Sequence, residues 1–180
     1  MKATGIVRRI DDLGRVVIPK EIRRTMRIRE GDPLEIYTSR DGEVIFKKYS
    51  LMGGLDEFAL QFCETLSKSC NTIAAVTDRD TVIAVSGGGK RELMGKRISQ
   101  QMEQIMEDRR IYQHTGTDRR VFVTDSSDKY AACVAAPILC EGDVLGLVLF
   151  ISDNENLTTG ETEYKLAQTI AAFLGKHMES

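Results

Sequence analysis

The spacing of apolar and polar residues changes several times along this chain, and each change marks an element. Residues 5–10 (GIVRRI) and 15–19 (RVVIP) are short β-branched runs that predict two strands, with Asp11, Asp12 and Gly14 as the turn between them. Pro19 ends the second run and suits the first turn of a helix. In KEIRRTM, Ile22 and Met26 lie four apart and share a face, while Lys20, Arg23, Arg24 and Arg27 occupy the rest of the surface. Gly31, Asp32 and Pro33 break that helix. Leu34–Tyr37 and Glu43–Lys48 read as strands joined by SRDG, whose Asp41-Gly42 pair is a strong hairpin signal. The order is ββαββ. A unit of about fifty residues buries little surface, and its short strands leave open edges. The remedy we expect is two copies interleaved so that each completes the other's sheet.

After a junction at residues 51–54 the period lengthens. Leu55, Phe58, Ala59, Phe62, Cys63 and Leu66 form a continuous helical stripe. NTIAAVTD and TVIAVSG read as strands about an Asp78-Arg79-Asp80 turn. Ile98, Met102, Ile105 and Met106 mark a second amphipathic helix. YAACVAAPILCEGDVLGLVLFIS holds two strands turned at Glu141-Gly142-Asp143. Thr158 and Glu161 suggest a capping box for a last helix, with Ala167, Ile170, Ala171, Leu174 and Met178 inward. The result is an α+β domain over residues 55–178, an antiparallel sheet carrying helices.

Composition adds a compartment and a charge asymmetry. The chain has 180 residues, 42% of them hydrophobic and 29% charged. Its longest apolar run, Val144–Ile151, is too short to span a bilayer, and MKATGIVRRIDD lacks a signal-peptide core. We therefore expect a cytoplasmic protein with reduced cysteines and no membrane partner. The net charge of −2 conceals two halves. Residues 1–50 hold 12 Lys and Arg against 8 Asp and Glu, which is +4, and residues 51–180 hold 13 against 19, which is −6. A basic head on an acidic body directs a polyanion to the head.

The run TGIVRRIDDLGRVVIPKEIRRTMRIREGDPLEIY resembles the AbrB-type swapped-hairpin DNA-binding domain over residues 1–50, most specifically in LGRVVIPKEIRRT. The resemblance implies an obligate intertwined dimer with a β-barrel core, bound to double-stranded DNA through Arg8, Arg9, Arg15, Arg23 and Arg24. Lys20 and Arg27 share the cationic face without as close a family match. Arginine's planar fork suits both phosphates and guanine edges, and such domains tend to read DNA shape more than a strict base code. Residues 55–178 resemble a GAF-type sensor domain through AAPILCEGDVLGLVLFIS and the helix after it. That resemblance implies a small-molecule cavity of unknown ligand and self-association through terminal helices, which would build a tetramer. From loop position alone, Asp78, Arg79, Arg119 and Tyr130 are candidates for the cavity's rim. A head and body so combined resemble sporulation regulators of endospore-forming bacteria, and imply a transcription factor associated with the nucleoid.

Other chemistry is weaker. Gly87-Gly88-Gly89-Lys90 lacks the Ser or Thr and the first glycine of a phosphate loop, so it reads as a turn bordering a pocket. Cys63 and Cys70 share a helix, and Cys133 and Cys140 lie in the hairpin. With no C-x-x-C, and with His114 and His177 flanking nothing metal-like, buried thiols are expected, with no metal, no cofactor and no enzyme. Asp125, Ser126, Ser127 and Asp128 read as a polar loop. Two alternatives stay open. One is an antitoxin, whose acidic tail would wrap a toxin. The other is a GAF-fold redox enzyme using Cys133 and Cys140.

Overall fold

A computed structural model of the chain describes residues 5–49, 52, 55–154 and 159–179. The chain divides into two compact units, residues 1–49 and 50–180.

In the first unit, α1 (Lys20–Met26) follows Pro19 and ends at Arg27 in the left-handed region, where the Ile28 N–H reaches the Arg23 carbonyl at 2.8 Å. Strands β1 (Leu34–Thr38) and β2 (Val44–Lys48) pair antiparallel, from Leu34↔Lys48 to Thr38↔Val44. The expected strands at residues 5–10 and 15–19 are not strands within one chain. A strand needs a neighbour for its N–H and C=O groups, and among the described residues the two runs share backbone hydrogen bonds only at the Asp11–Arg15 turn. Pro19 alone is buried among the described residues of this unit. Ile6, Ile10, Leu13, Val16, Val17, Ile36, Val44 and Phe46 are all exposed. One copy of the head therefore has no core.

The second unit has an ample one. Its sheet runs β4 (Val82–Ser86), β3 (Ile73–Thr77), β8 (Asp143–Ser152), β7 (Ser127–Cys140), β5 (Tyr112–Gln113), with β6 (Phe122–Thr124) also on β7. The pairings are antiparallel, as the hairpin signals predict. Alternation sends Ala74, Val76, Val134, Ala136, Val148 and Phe150 to one face, beneath α2 (Asp56–Cys70) and α5 (Glu161–His177). Ala75, Val85, Ala135, Leu147, Leu149 and Ile151 take the other, with Leu93 of α3 (Lys90–Leu93) and Met102, Ile105 and Met106 of α4 (Gln100–Asp108). Burial on both faces explains why β8 reads as an unbroken apolar run rather than an alternating one.

Local capping departs from expectation in one place. Ser99 caps α4 by accepting from the Met102 N–H. For α5 the Glu163 carboxylate accepts from the Gly160 N–H at 2.9 Å. Thr158, the expected cap, lies outside the described residues. Gly175 of α5 rests on the Leu139 carbonyl of β7 so closely that a Cβ there would overlap it. The expected polar loop at residues 125–128 is shorter than its composition suggests. Asp125 and Ser126 make the turn, and Ser127 and Asp128 already belong to β7.

Candidate nucleic-acid interface

The five predicted arginines are all exposed. Arg23 and Arg24 sit in the last turn of α1, where their charge also complements the helix C-terminus. The opposite side of that helix is apolar. Ile22 and Met26 join Ile6, Val16, Ile18 and Phe46 around a cavity of about 460 Å³, and Arg8 stands on its lining. One short helix thus separates a cationic surface from an uncovered apolar groove. Lys20 is exposed and Arg27 half-buried. The Lys48 ammonium donates to the Arg27 carbonyl at 3.0 Å and lies 3.7 Å from Asp32, which ties the helix end to β2.

Arg15 is held in a way that its sequence context only hints at. The Asp11 Oδ1 accepts from the backbone N–H groups of Leu13 and Arg15 at 3.0 and 2.7 Å, and Oδ2 accepts from the Arg15 Nε at 2.8 Å. The Asp11 N–H reaches the Arg15 carbonyl, and Gly14, at φ +75°, closes the turn in the left-handed region. The Arg15 N–H, then its guanidinium, hold the Asp11 carboxyl below the usual carboxylate range. This Asx turn uses both an Asp and a Gly at the spacing that such turns need. The charge count of the sequence treats the same Asp as a simple subtraction.

The four cavity candidates of the second unit do not form one rim. Asp78 caps its own turn, accepting from the N–H groups of Asp80 and Thr81 at 2.8 and 2.6 Å. Thr77, just before it, aligns with Leu147 and Pro137. Tyr130 is buried and lies beyond Ala131, at the opposite end of β7, beneath the Gly87–Gly89 turn. Six intervening residues of strand put Asp78 and Arg79 on the order of 20 Å from Tyr130. Arg119 is exposed in the loop between β5 and β6. A groove of about 680 Å³ runs elsewhere, between α5 and β7, with Arg109, Ile111, Pro137, Gln168 and Lys176 on its lining. Composition concealed it, because it forms where the two-residue β5 stops at Ala135 and, among the described residues, leaves the end of β7 paired on one side only, with β8.

Burial pushes the Cys63 and Cys133 thiols up to about 12. Desolvation also raises Cys70 and Cys140. All four are free and pack in or against the core beneath α2 and α5. Among the described residues, no three His, Cys, Asp or Glu side chains are placed to hold a metal ion.

Residues 54–179 match the family described as stage V sporulation protein T C-terminal, transcription factor. Residues 7–51 match the family described as antidote-toxin recognition MazE, bacterial antitoxin. The chain is 47% identical to stage V sporulation protein T of Bacillus subtilis (strain 168) over 179 residues, 99% of each chain. Over 49 residues it is 63% identical to the transition state regulatory protein AbrB of the same organism, spanning 27% of this chain and 50% of that one. The GAF domain of an Acinetobacter phosphoenolpyruvate-protein phosphotransferase superposes with a TM-score of 0.53 at 12% identity, over 73% of this chain and 84% of that one. A type II free methionine-R-sulfoxide reductase from Thermoplasma acidophilum gives 0.52 at 12% identity, over 69% and 94%. The last two likenesses establish the fold and nothing more.

Proposed function

This chain belongs to the stage V sporulation protein T family, and from that premise we propose that its head grips double-stranded DNA as an intertwined dimer, through Arg8, Arg9, Arg15, Arg23 and Arg24. It is a DNA-binding transcriptional regulator with an AbrB-like head and a GAF-like body. The observation that carries the dimer is the head's missing core. A single head exposes Ile6, Val16, Met26, Val44 and Phe46, and a second copy is the partner that would cover the groove on both molecules at once. Pairing would set two heads, about ten arginines in all, on one assembly. Such a regulator acts where the chromosome is, in the cytoplasm.

The body supplies a regulatory element rather than catalysis. A nucleophilic cysteine needs a low thiol pKa, and Cys133 is displaced in the opposite direction. That weighs against the redox reading. The antitoxin reading requires an extended tail, whereas the body is a compact unit with a core on both sheet faces. Signal sensing and tetramer formation remain roles that we assign to the body by its GAF-like fold. Any ligand would shift DNA binding only by favouring one of two states.

The direct test replaces Arg15, Arg23 and Arg24 with alanine, one at a time, in the full chain. Each change should weaken DNA binding by roughly 1–3 kcal/mol, about 5- to 150-fold, without altering the melting temperature. Unchanged affinity in all three folded variants removes the proposed interface.

A further inference from the structure

Beside the arginines of the head stands one carboxylate, Asp11, 2.8 Å from the Arg15 Nε. The Asp11 side chain faces a region proposed to meet a polyanion, and a negative charge there opposes binding. It is nevertheless fully engaged. Its two oxygens take two backbone N–H groups and the Arg15 Nε, at 3.0, 2.7 and 2.8 Å. The turn would need only the backbone pair. The third bond serves Arg15 itself.

The consequences follow from guanidinium chemistry. Arg15 has five N–H donors in a fixed plane. Asp11 occupies Nε and leaves the terminal Nη1 and Nη2 pair, on a side chain still 69% exposed. That pair is the fork that reads O6 and N7 of a guanine. A free arginine samples many rotamers and meets any phosphate, whereas this one is anchored at its neck. Its carboxylate partner also repels phosphate oxygens approaching from its own side.

We propose that Asp11 is a positioning residue for DNA discrimination. It holds Arg15 with its fork outward and makes non-specific phosphate contact less favourable, so that the ratio of specific to non-specific affinity rises. This rests on the reading of Arg15 as a DNA contact. Asp11 lowers total charge and total non-specific affinity, and what it returns is selectivity. A purely structural Asp11 would instead change both affinities together, through the turn.

The experiment compares the full-length protein with D11N, R15A and the double variant. Asparagine still accepts the two backbone bonds of an Asx turn, so the turn survives. Each protein is titrated with a duplex carrying a selected site and with a scrambled duplex, at several salt concentrations. For D11N, non-specific affinity should rise about 3-fold or more, and the specific-to-non-specific ratio should fall by about 10-fold. The magnitude of the salt slope on scrambled DNA should grow by about one per protomer, as each released arginine finds a phosphate. In the R15A background, D11N should leave the ratio unchanged, because nothing remains to be positioned. A D11N ratio equal to wild type, with R15A still impaired, overturns the role of Asp11 and leaves the interface standing. An unimpaired R15A overturns the reading on which it rests. A D11N that loses both affinities equally, with a lower melting temperature, marks Asp11 as a turn residue only.

Discussion

Replacing Val16 with aspartate should abolish the dimer and, with it, DNA binding. On one chain this valine is 43% exposed. A surface substitution of that kind usually changes stability by no more than about 0.5 kcal/mol. Val16 also lines the apolar groove with Ile6, Ile18, Ile22 and Phe46. If a second head covers that groove, the substitution buries a carboxylate in each copy, against a lining that is apolar apart from Arg8. The cost is several kcal/mol per charge, and symmetry applies it twice. The dimer's dissociation constant should rise by at least about 1,000-fold, equivalent to about 4 kcal/mol. DNA affinity should fall in parallel, because half of the arginines are lost from the assembly. Sedimentation at micromolar concentration reads the association of the heads most cleanly beside a Val16→Ile control, which keeps the apolar face. A V16D protein that still dimerises through its head and binds DNA as before would show that the groove faces solvent in the working molecule.

The second large effect lies in the body. Phe150 is fully buried in β8, paired with Ala74 on one side and Val134 on the other. Its ring fills the space between the sheet and the helices α2 and α5, among small neighbours that cannot grow into a void. Phe150→Ala removes the ring and leaves a cavity, which costs about 3–5 kcal/mol. For a unit of this size each kcal/mol lowers the melting temperature by roughly 3–5 °C, so calorimetry should record a fall on the order of 10–20 °C in the body's transition. A fall of less than about 3 °C would mean that this face is looser than its burial indicates.

These two positions also show what a sequence can and cannot reveal. The body's elements are readable because each has its own pattern. The stripe from Leu55 to Leu66 becomes α2, the turn at Glu141-Gly142 joins β7 to β8, and the inward set from Ala167 to Leu174 faces the sheet. Two of its details are not readable. The 680 Å³ groove depends on where β5 stops, and strand ends follow tertiary pairing more than composition. Asp78 and Arg79 stand at one end of the sheet and Tyr130, within β7, at the other, so these positions and Arg119 do not form one rim.

The head presents the reverse case. Its β-branched runs at residues 5–10 and 15–19 are strand-like in composition, yet one chain gives them no ladder. Composition records a propensity that only a neighbour can satisfy. The five arginines come from a resemblance together with charge, and the structure adds that all five are exposed. The Asp11–Arg15 bond was not, since a net charge of +4 counts the two as cancelling when their geometry makes them a unit.

On the proposed interface the head's arginines meet DNA phosphates and bases as a set, and the salt dependence of binding reads how many do. The affinity of the full chain for duplex DNA is titrated between about 50 and 200 mM salt. If most of some ten arginines on a dimer touch phosphates, log K should fall linearly with log salt concentration, with a slope on the order of −5 to −9. The R15A, R23A and R24A variants should each flatten it. A slope near zero, or one indifferent to all three substitutions, would contradict the account.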